Sequence, residues 1–114
     1  MSSTQSAYKK YKIECQFRFV IKNYPNEFDF ALVQKHGWYS PKNHGDTPNG
    51  VSRDHIMSVK WGFDNGIDPK YIRHPANCQL LIHNDNVRKG KKESITLDIL
   101  LENIKVWNSK YFMG

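Results

Sequence analysis

The 114-residue sequence predicts a small α+β protein, and three features of its apolar pattern carry that prediction. Over residues 11–21, Tyr11, Ile13, Cys15, Phe17, Phe19 and Ile21 alternate with Lys12, Glu14, Gln16 and Arg18. A period of two is the signature of a half-buried strand. Over residues 97–111, Leu97, Leu100, Leu101, Ile104, Trp107 and Tyr111 recur at the spacing of an amphipathic helix. Between these, residues 50–57 and 77–81 suit the two strands of a hairpin, with an α-element expected from residue 84. The expected architecture is a strand–strand–helix core with an added N-terminal strand and helix and a C-terminal helix.

Residues 1–10 are polar and expected to be a flexible N-terminus; residues 11–114 are expected to form one domain, with its core at about residues 50–92. Pro25 marks a turn. Residues 28–35 suit a short helix, with Phe28, Ala31 and Leu32 on one side and Gly37 ending it. Residues 38–50, rich in Pro, Asn and Gly, read as loop. Residues 58–65 suit a short helix closed by Gly66, and Asp68-Pro69 is a helix-start signal, an N-cap followed by proline at the first helical position. Thr96 is placed to cap the last helix, and Ile99 and Val106 widen its stripe, so it is expected to pack on more than one surface.

Lysine and arginine number 17 against 11 acidic residues, a net charge of +6 that suits a polyanionic partner. Cys15 and Cys78 are too few for a four-cysteine zinc site or a disulfide framework, so no structural zinc and a reducing cytoplasm are expected. The start of the chain lacks the apolar core of a leader, and no run approaches the ~20 apolar residues of a membrane span.

Three segments carry the chemistry: Val51-Ser52-Arg53-Asp54-His55-Ile56, then His74-Pro75-Ala76-Asn77-Cys78-Gln79-Leu80-Leu81, then Asn86-Val87-Arg88-Lys89-Gly90. Singly they are bland, since an Asp-His pair is commonly a surface or strand-end feature and lone asparagines are commonly turn or cap residues. Their joint order and spacing resemble the HNH nuclease family, with its ββα-metal (His-Me finger) core, and in particular small HNH proteins of bacteriophages. Two departures are the long stretch over residues 61–73 and Asn86 in place of a third-letter histidine.

The resemblance implies a metal-dependent endonuclease of phage or mobile-element origin, working in the cytoplasm of a bacterial host. It would hydrolyse DNA phosphodiesters to 3′-hydroxyl and 5′-phosphate ends, with RNA open as an alternative substrate. His55 would deprotonate water, and imidazole titrates near ~6.5, a sensible base at neutral pH. Asn77 would hydrogen-bond around the loop and orient the His55 ring. Asp54 and Asn86 would hold one divalent ion, and such oxygen donors favour Mg²⁺ or Mn²⁺. Arg53, Arg88, Lys89, Lys91 and Lys92 would hold backbone phosphates.

Neighbouring strand residues face opposite ways, so the chain is expected to bend or bulge at Asp54-His55. His74 is a candidate for positioning the Asn77 loop, and His83 for touching phosphate or metal-bound water, against a structural role for each. Phe17, Phe19, Phe28 and Phe30 are expected in the core, and Trp38 and Tyr39 over its edge. The rival functions are a catalytically weak DNA-binding module and a phage accessory protein that uses the fold for docking. Specificity from a homodimer or a protein partner stays open.

Overall fold

Ser3–Glu14 is a helix, α1, in the computed structural model, which describes residues 3–39, 50–83 and 95–112. This corrects the expected irregular N-terminus and the strand over residues 11–21. Gln5, Ala7, Lys9, Lys10 and Lys12 are good helix formers, and Tyr8, Tyr11 and Cys15 recur three and four positions apart, on one helical face. Cys15 is fully buried while Ile13, from the same alternating set, is 55% exposed. Up to Cys15 the apolar residues follow a helical stripe; over residues 15–21 burial does alternate, but in irregular chain rather than in a strand. After α1 the chain is irregular up to a 3-10 turn at Ile21–Asn23.

Two compact units divide the chain, residues 1–18, 55–78 and 91–114 in the first and residues 19–54 and 79–90 in the second. The first unit holds α1, two short helices, α3 (Val59–Asp64) and α4 (Pro69–Ile72), a 3-10 turn at Pro75–Asn77 and the long helix α5 (Leu97–Tyr111). The helix starts follow the caps: Ser58 Oγ accepts from Trp61 N at 3.0 Å, Asp68 Oδ1 from Lys70 N at 2.9 Å, and Thr96 Oγ1 from Ile99 N at 3.2 Å.

Cys15, Met57, Ile72, Leu100 and Ile104 form the core of this unit. Full burial of a Met, Ile or Leu contributes about 1.5–3 kcal/mol. Trp107 completes the buried face of α5, whereas Ile99 is 49% and Val106 58% exposed. The wider stripe does not cover a second surface among the described residues, which corrects that expectation.

The second unit holds α2 (Phe30–His36), capped by Asp29 and ended at Gly37, and most of a two-stranded sheet, β1 (Val51–His55) with β2 (Cys78–Ile82). Gly50 O accepts from His83 N at 2.7 Å and Asn77 O from Ile56 N at 2.8 Å. Both bonds define one antiparallel register, which sets Asp54 opposite Gln79. Trp38 forms a parallel bridge with Val51 on the outer edge of β1. A Cβ on Gly50 would meet the Tyr39 backbone at 2.7 Å, so only glycine allows this approach. Residues 40–49, expected as loop, and the α-element expected from residue 84 lie outside the described residues. No helix among the described residues is long and apolar enough to cross a membrane.

Gly62 is the tightest point of the first unit. A Cβ there would lie 2.6 Å from Tyr11 Oη and 2.8 Å from Ile72 Cδ1. Alanine would gain up to about 1 kcal/mol of helix propensity over glycine, but overpacking costs about 1–3 kcal/mol. Tyr11 Oη is held at 2.7 Å on Ile67 O, so it does not swing away freely. Gly62→Ala should therefore lower the urea midpoint with an unchanged m value; a raised midpoint would show that the contact yields.

Candidate active site

His55 is the last residue of β1, and its ring is held from two sides by the segment that follows α1. Nε2 lies 2.8 Å from the Cys15 carbonyl oxygen. A carbonyl only accepts, so Nε2 carries the hydrogen and the lone pair of the neutral ring is on Nδ1. Phe17 stacks on the imidazole with centroids 4.1 Å apart and planes 16° apart. Arg73 Nη1 donates to Glu14 O at 3.2 Å and faces the Glu14 carboxylate at 3.6 Å, which anchors the end of α1 that leads to Cys15.

Asn77 is fully buried. Its Oδ1 accepts from Met57 N at 2.8 Å, and Nδ2 donates to Met57 O at 3.1 Å and Ile72 O at 2.9 Å. The amide thus closes the loop that runs from the end of β1 through α3 and α4. Both of its N–H groups are engaged by main chain, so the ring-orienting role expected of Asn77 falls to Cys15 and Phe17. His74 caps the turn that carries Asn77: its Nδ1 accepts from Ala76 N at 3.0 Å, and Nε2 donates to Asn108 Oδ1 at 2.8 Å.

In the second unit Asp54 is buried, and Gln79 Nε2 donates to its Oδ2 at 2.8 Å across the ladder. Gln79 was missed in the sequence, although the antiparallel register opposite Asp54 could have found it. Of the bend or bulge expected at Asp54-His55, the structure shows the bend: His55 ends β1 and the chain turns at Ile56 and Met57, with both residues of the pair still in regular strand. Arg53 is exposed on β1. His83 stacks on Tyr39 with centroids 3.5 Å and planes 12° apart, and its buried Nδ1 has no hydrogen-bond partner among the described residues.

Asn86, Arg88, Lys89, Lys91 and Lys92 lie outside the described residues. Among the described residues no three His, Cys, Asp or Glu side chains cluster to hold a metal. Asp54 is the one candidate ligand of the expected pair that is described. Its buried carboxylate, held by an amide donor on one oxygen, offers the hard oxygen chemistry that Mg²⁺ or Mn²⁺ takes.

Removing the Asn77 amide strands the buried Met57 N–H and two carbonyls. An unsatisfied buried group costs about 1–3 kcal/mol, so Asn77→Ala should lose about 2–4 kcal/mol in urea unfolding. A loss well under 1 kcal/mol would mean that other groups or water replace the amide.

Burial lowers the His74 pKa, opposed in part by its bond to Asn108. The unfolded chain then binds the proton more readily than the folded one, so stability is full above about pH 6.5 and falls as pH drops, levelling once the folded ring is protonated too. Protonation of Nδ1 also ends its acceptance from Ala76 N. The stability difference between about pH 7 and about pH 5 should shrink in His74→Gln; an unchanged difference would assign the acid sensitivity to other groups.

No protein-family model matches the chain, and no curated protein and no solved structure matches it either.

Proposed function

We propose that this protein is a metal-dependent endonuclease of the HNH type that hydrolyses DNA phosphodiester bonds. The observation that carries the reading is the tautomer of His55. A main-chain carbonyl fixes Nε2–H and a phenyl ring fixes the plane, which makes Nδ1 the atom that takes a proton. A preset base next in the chain to a buried carboxylate is an arrangement suited to activating water at a phosphate.

In this mechanism His55 Nδ1 removes a proton from water as it attacks phosphorus, and the imidazolium that forms keeps Nε2–H on the Cys15 carbonyl. Asp54, with Asn86, is the proposed ligand set for one Mg²⁺ or Mn²⁺. Such an ion supplies charge neutralisation at phosphate and at the leaving oxygen. Gln79 keeps one Asp54 oxygen in place and Asn77 keeps the loop after His55 closed. Arg53, Arg88, Lys89, Lys91 and Lys92 are the proposed phosphate contacts. The products are a 3′-hydroxyl and a 5′-phosphate.

Supercoiled plasmid incubated with Mg²⁺ or Mn²⁺ should be nicked or linearised, and excess EDTA should stop the reaction. His55→Ala should lose about 10²–10⁴-fold in single-turnover rate, the contribution of a positioned general base, with DNA affinity nearly unchanged. Near-normal turnover in His55→Ala would remove the base assignment. A plasmid left intact with either metal would favour a DNA-binding module over an enzyme.

A further inference from the structure

A groove of about 940 Å³ lies within the second unit, and β1 forms one wall of it up to Arg53, the residue before Asp54. Phe19, Phe30 and Trp38 supply aromatic surface, together with Tyr39, one face of which is covered by His83, and Lys22 and Arg53 supply cations. Trp38, expected over the core edge, is 47% exposed. Its backbone is nonetheless fixed, because Tyr39 N donates to Val51 O at 2.9 Å and Val51 N to Gly37 O at 2.8 Å on either side of it. Glycine at position 50 permits that close approach.

We propose that this groove binds an unpaired nucleotide of the DNA strand beside the scissile phosphate. The inference rests on the nuclease reading and names the form of DNA that reading left open. Paired bases in a duplex already stack on their neighbours and hide their faces, so an exposed aromatic platform engages only a single-stranded or extruded base. Cations beside the rings meet the phosphates of the same strand. A volume near 940 Å³ is at the large end for small-ligand sites, roomy for one nucleotide and part of the next. With its backbone fixed on the edge of β1, Trp38 has only two side-chain torsions to order on binding, which keeps the cost of stacking low. The wall ends one residue before Asp54, so a strand lying in the groove reaches the end of β1 that carries the proposed metal ligand.

Binding measured in EDTA separates this inference from cleavage. Short oligo(dT) should quench tryptophan emission saturably, and blunt duplex of equal length and free thymidine monophosphate should bind at least about 10-fold more weakly. Trp38→Ala should weaken oligo(dT) binding roughly 5- to 150-fold, the share of one stacked base. Trp38→Phe should keep most of the affinity but lose the quench. Arg53→Gln should flatten the salt dependence by about 0.7 in log–log slope, one single-strand phosphate contact. Wild-type affinity in Trp38→Ala, equal binding of duplex and single strand, or binding of the free nucleotide as tight as that of the oligomer would each overturn the proposal. Plasmid cleavage by the wild-type chain would then still stand. Conversely, Trp38-dependent strand binding in a chain that cuts nothing would keep the groove and remove the nuclease.

Discussion

The buried amide of Asn77 joins three points of main chain: its own turn, Met57 just past the end of β1, and Ile72 at the end of α4. Ile56 N donates to Asn77 O at 2.8 Å as well, so side chain and backbone of one residue close the same loop. A fully buried amide is costly unless every group is met. Asn77 meets that demand with two donated bonds and one accepted bond, and the loop it closes carries α3 and α4 as its insertion. Long insertions cost little extra closure entropy when their ends are pinned. That accounts for how residues 58–73 can lie between the two strands without loosening the strand ends.

The bond from His55 Nε2 to the Cys15 carbonyl depends on where α1 stops. Cys15 N still closes the last turn of α1 on Tyr11 O at 3.0 Å, while its own carbonyl lies beyond the helix. Carbonyls at a helix end need partners from elsewhere. The imidazole supplies one, and Arg73 supplies another to Glu14 O. The requirement of the helix end and the requirement of the ring are satisfied by the same contact. For the base role proposed for His55, a ring oriented in this way would be set in advance, and orientation fixed in advance costs nothing at the moment of reaction. The Glu14–Arg73 ion pair adds little energy at its partial exposure; its value is geometric.

The caps Asp68 and Thr96 and the two strands were legible in the sequence because each is a side-chain property. Caps need an oxygen at one position, and strands need a run of suitable residues. The partners of His55 were not legible, since every residue has a carbonyl and nothing in the letter Cys15 marks its oxygen as the acceptor. The segment at residues 11–21 misled for a different reason. Over so short a window, residues at helical spacing mixed with exposed apolar ones can imitate alternation. Tyr11 and Cys15 satisfy both patterns, and only the 55% exposure of Ile13 separates them. Trp38 lies on the outer edge of β1 at 47% exposure, a degree of exposure that the letter alone does not record.

Cys15 shows how the backbone and side chain of one residue can serve separate ends. Its carbonyl faces the imidazole, while its thiol sits in the core with Met57, Ile72 and Leu100. Burial pushes the thiol pKa up to about 11, against the influence of the neighbouring Tyr11 hydroxyl and the Arg73 charge, which pull it down. A thiol with that pKa is almost wholly protonated at neutral pH, so it is neither a nucleophile nor a ready metal ligand. Cys78 is buried as well. Neither cysteine is therefore placed to compete with the hard oxygen ligands proposed for the metal, and the chemistry assigned to His55 borrows from Cys15 only an atom that any amino acid would provide.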